Sequence, residues 1–127
     1  MAYTTINKSS LYMNNILYTG NSVNGRSITG IGFQPDLVWV KCRNAGGNNH
    51  VLSDSVRGTN KNLQSNSSSA EIANNSQGWI SAFGSDGFTT YGANSSYNEI
   101  NGNGNTYVAW NWKANGAGSA NTNGDIA

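Results

Sequence analysis

The segment YVAWNWK, residues 107–113, sets Val108, Trp110 and Trp112 in alternation with Tyr107, Ala109, Asn111 and Lys113. A period of two is that of an extended chain with one face in a core and the other elsewhere. It predicts a central β-strand with the bulky apolar set inside. Working back along the chain, residues 37–43 (LVWVKCR) begin apolar on both faces, Leu37 and Trp39 on one and Val38, Val40 and Cys42 on the other. Lys41 and Arg43 then bring charge onto the first face, which predicts a strand covered on both sides in its first half. Pro35 is the chain's only proline. It lacks an N–H and stands just before this strand, where it sets the entry turn without breaking a ladder.

Outward from these two runs, NNILYTG, RSITGIGF, HVLSDSVRG, GWISAFG and DGFTTYG repeat the pattern of a short apolar stretch bounded by turn residues. Asn24-Gly25, Asp86-Gly87 and Asn103-Gly104 are tight-turn dipeptides. Seven or more strands are expected, and with them an all-β, antiparallel β-sandwich stacked by its tryptophans. The domain is expected over residues 15–114, preceded by an arm or linker over 1–14 and followed by a polar tail over 115–127. Residues 58–76 are of low complexity, with Leu63 and Ile72 as evident anchors, and predict a long surface connection holding a short strand or two.

Composition narrows the function. Of 127 residues, 22 are Asn, 16 Ser, 16 Gly and nine Thr, so half the chain is small, polar and turn-prone. A helical bundle does not suit it. Charged residues make up 10% and the formal net charge is +1, without the basic footprint of a dedicated nucleic-acid binder. No stretch approaches the roughly 18 consecutive apolar residues of a membrane-spanning helix, and MAYTTINKSS has no apolar signal segment, which predicts neither membrane insertion nor export by a cleaved leader. One cysteine, Cys42, excludes an internal disulfide framework and a multi-cysteine zinc site. The modest apolar content, set against the cost of ordering the backbone, points to an oligomer.

Catalytic constellations are thin. His50 lies near Ser53, Asp54 and Ser55, but on a strand His50 and Asp54 face one way and the serines the other, and no G-x-S-x-G elbow is present. Six carboxylates, Asp36, Asp54, Glu71, Asp86, Glu99 and Asp125, show no spacing that selects a glycosidase pair. Asp54 and Arg57 read as an ion pair or a clamp on the turn ending at Gly58. Asp86 reads as a turn residue whose carboxylate binds backbone N–H groups ahead of Gly87. No cofactor is expected; the Ser85-Asp86-Gly87 turn offers oxygen ligands of the kind calcium takes, but no D-x-D-x-D-G series accompanies it. Tyr91, Asn94, Tyr97 and Asn98 are the candidate ligand-binding residues, tyrosines to stack on a sugar's apolar face and amides to bond its hydroxyls. Their plain structural alternative is packing at the domain's rim or against a neighbouring subunit.

Four motifs taken together, TGIGFQPDLVWVKCR at 29–43, HVLSDSVRG at 50–58, FGSDGF at 83–88 and YVAWNWKA at 107–114, resemble a domain of bacteriophage tail-fibre and other virion-surface proteins, particularly of marine and cyanobacterial phages. The resemblance implies a jelly-roll, concanavalin A-like (lamin-G or SPRY-type) sandwich. It supplies no catalytic motif, and its shared positions, Pro35, Trp39, Asp54, Arg57, Gly58, Asp86, Gly87, Trp110 and Trp112, read as structural. The implied protein is a nonenzymatic virion-surface component, made in the host cytoplasm, that presents loops to a host-surface glycan or protein. A trimer or symmetric array, together with other virion proteins, would multiply weak single contacts. Two rival readings are a purely structural subunit of a filament, tail or capsid ornament, and a polysaccharide depolymerase.

Overall fold

Short runs of alternating side chains between Asn- and Gly-rich turns become nine strands among residues 8–92 and 98–114, which the computed structural model describes. They are β1 (Met13–Thr19), β2 (Arg26–Thr29), β3 (Leu37–Cys42), β4 (Val51–Asp54), β5 (Lys61–Gln64), β6 (Ile72–Ala73), β7 (Trp79–Gly84), β8 (Gly87–Tyr91) and β9 (Thr106–Trp112). One sheet has the order β1-β9-β3-β4-β5-β6 and the other β2-β8-β7, with every pairing antiparallel. The two sheets pack together as an all-β sandwich. β9 is central as expected, held between β1 and β3. The connection over 58–76 contains β5 and β6. β1 begins at Met13, so it takes in two residues of the expected arm.

The core corrects the reading of which face is inside. On β9 the residues facing the second sheet are Tyr107, Ala109 and Asn111, all 0% exposed, while Val108, Trp110 and Trp112 lie on the outer face and are partly exposed. Register carries the same parity across the sheet: Val38, Val40 and Cys42 are buried on β3 and Val51 and Ser53 on β4, with Leu37, Trp39, Leu52 and Asp54 outward. Ile28, Ile80 and Phe88 close the core from the other sheet. The tryptophans therefore do not join the layers; they lie on the outer faces of both. Strand period says that two faces differ, and it cannot say which is inside when both carry apolar side chains. An asparagine fits the inner face because its Nδ2 donates to the carbonyls of Asn14 (3.2 Å) and Ala109 (3.1 Å).

Similar chemistry corrects the anchor of the low-complexity connection. Leu63 is 37% exposed, and the buried residue of β5 is Asn62. Its Nδ2 donates to the Gly78 carbonyl at 2.8 Å and its Oδ1 accepts from Ser53 Oγ at 3.3 Å.

Several of the residues expected to be structural lie where segments meet. Pro35 is buried, and Asp36 beside it ties three segments: its backbone N–H donates to Trp112 O (2.8 Å), while its carboxylate accepts from Ser55 Oγ (3.0 Å) and the Ala114 N–H (2.9 Å). Asp54 caps its turn by accepting the Arg57 N–H at 2.8 Å and pairs with the Arg57 guanidinium, which also donates to Leu52 O (3.2 Å) and Glu71 (2.9 Å). Gly58 closes that turn with φ +92°. The motifs TGIGF and FGSDGF meet at Asp86. Its carboxylate accepts N–H bonds from Gly32 (2.6 Å) and Gly30 (3.0 Å), which reach across the fold to the β2–β3 connection and not along its own turn. Gly87 lies so close to β2 that a β-carbon there would stand 1.9 Å from Ile28 O.

Candidate functional site: an aromatic edge on the small sheet

β7 starts at Trp79 and β8 ends at Tyr91, and the antiparallel register makes these two residues partners. Phe88 and Thr90 of β8 are buried, so Tyr91 takes the outer parity, and Trp79 shares it. The rings lie 4.9 Å apart, tilted by 42°, and Tyr91 is 43% exposed. Two glycines allow close approach at this edge, Gly92 to the Trp79 ring and Gly78 to Asn98. A β-carbon on Gly92 (φ +90°) would stand 2.8 Å from the Trp79 ring, and one on Gly78 (φ +108°) would stand 2.9 Å from Asn98 Oδ1. The Gly92 N–H donates to Asn24 Oδ1 at 2.9 Å, tying the edge to the turn before β2.

Of the four expected ligand-binding residues, the structure places Tyr91 outward and Asn98 inward. Asn98 is 0% exposed; its Oδ1 accepts the N–H groups of Ile100 (3.0 Å) and Asn101 (2.7 Å), and its Nδ2 donates to Gly92 O (3.4 Å). It braces the connection from within, and its polar atoms are spent there. Asn94 and Tyr97 lie outside the described residues. Trp79 is the residue that sequence reasoning missed: in GWISAFG it read as one more core aromatic, and only the pairing register shows it beside Tyr91.

The inner end of the same connection is held by tyrosines. Tyr107 Oη donates to Asn98 O (2.6 Å) and accepts the Gly102 N–H (2.7 Å), and Tyr18 Oη donates to Ile100 O (2.6 Å). Burial pushes both phenols up from their ordinary value, so each stays a neutral donor. The aromatic edge therefore stands on a buried, hydrogen-bonded support.

The carboxylates of the described residues are otherwise engaged. Burial pushes Asp54 up, but bonds from the Arg57 backbone and guanidinium outweigh it and hold the carboxyl below its usual range. The Arg57 and Lys61 side chains do the same for Glu71. The Gly32 and Gly30 N–H groups lower Asp86. Glu99 goes the other way: burial raises it, although its oxygens accept from Asn49 (2.9 Å), Gln64 (3.0 Å) and Asn75 (2.8 Å). His50 is lowered by burial and by Lys41, and Ser53 is turned into the core, so no Ser-His-Asp contact forms. Among the described residues, no group of three or more His, Cys, Asp or Glu is placed to hold a metal ion. A groove of about 160 Å³ runs beside Ser27, Thr29, Asp86 and Thr89. It is smaller than the roughly 300 Å³ at which small-molecule pockets begin.

The family described as "Domain of unknown function (DUF7483)" matches residues 8–127, a span that includes every strand of the described residues. The chain belongs to the DUF7483 family. No curated protein and no solved structure matches it. In this DUF7483 domain the described surface carries at this edge an outward Trp79–Tyr91 pair, its rings tilted by 42°.

Proposed function

We propose that the chain is a nonenzymatic component of a virion surface, a tail-fibre, tail or head-decoration protein, that attaches to saccharide on a host cell through the Trp79–Tyr91 edge. The observation that carries this reading is Tyr91, 43% exposed and set against Trp79, with the rings tilted by 42°, at the end of the small sheet. An aromatic of that size left in water gains by covering the face of another ring. The resemblance of four ordered motifs to phage fibre domains supplies the setting, and a concanavalin A-like lineage suits a two-layer antiparallel sandwich.

The carboxylate chemistry supports a binding role over hydrolysis. A glycosidase needs one carboxylic acid kept protonated beside a second carboxylate. Asp54 and Glu71 share one guanidinium and both are held ionised, whereas Glu99 is held among amides inside the fold.

The test is an array of bacterial surface saccharides probed with the whole chain and with Tyr91→Ala. The expected result is binding to a subset of the saccharides, reduced about tenfold or more in the variant, as loss of one aromatic stacking partner costs about 1–3 kcal/mol. No binding by the wild type, or equal binding by both proteins, overturns the reading.

A further inference from the structure

We propose that Glu99 positions the Trp79–Tyr91 edge, and that taking up a proton at Glu99 loosens the turn that carries Trp79, so that the edge binds at neutral pH and slackens in acid. This deepens the saccharide reading and rests on it for the ligand, whereas the coupling from Glu99 to Trp79 stands on hydrogen bonds alone.

Glu99 is 0% exposed and lies where three other segments meet. Its Oε1 accepts from Asn49 Nδ2 before β4 (2.9 Å) and Gln64 Nε2 on β5 (3.0 Å), and its Oε2 accepts from Asn75 Nδ2 between β6 and β7 (2.8 Å). The Asn49 backbone N–H adds a further donor. All of these partners donate, a set that an ionised carboxylate accepts in full and a carboxylic acid does not. The charged and titratable groups on the elements around it are engaged elsewhere. Lys61 pairs with Glu71 and Glu71 with Arg57, His50 beside Asn49 has Lys41 as its charged neighbour, and the Tyr107 and Tyr18 hydroxyls donate to Asn98 O and Ile100 O.

Asn75 is the relay. Its Oδ1 accepts the Gln77 N–H (3.0 Å) and its backbone O accepts the Gly78 N–H (2.9 Å), which makes the turn that leads into Trp79. The Glu99 N–H ties the same turn by donating to Gln77 O at 2.8 Å. Oε2 carries one side-chain bond where Oε1 carries two, so it takes a proton at the smaller loss. An O–H there needs an acceptor, and Asn75 supplies one only by turning its amide over. That rotation points Nδ2 at the Gln77 N–H and leaves the N–H without its partner. Burial raises Glu99 above the ordinary carboxyl value, which puts the exchange in mildly acid solution. Proton uptake relieves the cost of burying the charge, and the turn loses its bond. Trp79 follows that turn directly and is the cross-strand partner of Tyr91, so the slack reaches the edge.

Amide NMR spectra of the isotope-labelled whole chain, taken from neutral pH down to 4.5, test this. The Gln77 and Trp79 signals are expected to titrate together with a midpoint above 4.5. Glu99→Gln, which turns an N–H group toward Asn75, is expected to abolish the titration and to hold both signals near their acid positions at neutral pH. Asn75→Ala keeps the acid and removes the relay, and is expected to leave Trp79 without a titration. His50→Gln is expected to leave the titration as it is in wild type. On the saccharide array, wild-type binding is expected to fall about fivefold or more on acidification, and Glu99→Gln to bind weakly at both ends of the range. Signals that do not titrate, or that titrate in Glu99→Gln and not in His50→Gln, overturn the proposal. Saccharide bound equally tightly at neutral and acid pH overturns it and leaves the saccharide reading standing. No saccharide bound by wild type at neutral pH overturns that reading, and the amide titration then decides the coupling by itself.

Discussion

Glu99 is a buried carboxylate bonded by three amides, and no Lys or Arg is among the hydrogen-bond partners it has in the described residues. Its folded value lies above the ordinary 4.5, so the folded state binds its proton more tightly than the unfolded chain does. Its contribution to stability is therefore greatest below 4.5 and declines as pH rises through the raised value. Wild type should gain stability relative to Glu99→Gln on acidification from neutral pH toward 4.5, measured by urea unfolding at several pH values. A difference independent of pH would contradict the assignment. A second residue-scale expectation concerns glycine. At Gly87 a β-carbon would collide with Ile28 O at 1.9 Å, whereas at Gly25 nothing lies within 4 Å. Gly87→Ala should cost about 3 kcal/mol or more by parting β2 from β8, and Gly25→Ala only the left-handed backbone penalty of about 1–2 kcal/mol. Equal losses in thermal unfolding would count against the close approach. Turn residues such as Asp54 and Arg57 were legible because their spacing has a local mechanism, whereas Asp86, read as binding N–H groups of its own turn, binds those of Gly30 and Gly32 across the fold. Glu99, Asn62 and Asn98 were not legible, because nothing local separates a buried amide from the many solvent-facing ones in an Asn-rich chain.

At the scale of elements, the strands themselves were readable from period two and Asn-Gly punctuation, down to the central place of β9. The orientation of that strand was not. Tyr107, Ala109 and Asn111 look less apolar than Val108, Trp110 and Trp112, but the Tyr107 hydroxyl donates to Asn98 O and the Asn111 Nδ2 to Asn14 O on β1, carbonyls brought from elsewhere in the fold. Such partners are invisible along a single strand. The consequence is measurable. Ile80→Ala, at a position 0% exposed, should cost about 2–5 kcal/mol. Leu17→Ala, on the outer face, should fall within about 0.5 kcal/mol of wild type under conditions where the chain is monomeric. Comparable losses at both positions would mean that the outer face is already covered within one chain.

For the molecule as a whole, the two layers divide the labour. The inner faces, filled by Ile, Val, Phe and Tyr, hold the sandwich together, and the outer faces carry all four tryptophans. The small sheet carries Trp79 beside Tyr91, and the large sheet carries Trp39 beside Trp110. The most direct measurement is quenching of tryptophan fluorescence by acrylamide, compared between the folded chain and the chain unfolded in urea. The account predicts that the folded chain's indoles are open to the quencher, with a quenching constant that is a large fraction of the unfolded one. Indoles shielded in the folded chain and opened only by urea would contradict it, placing the tryptophans inside the sandwich after all.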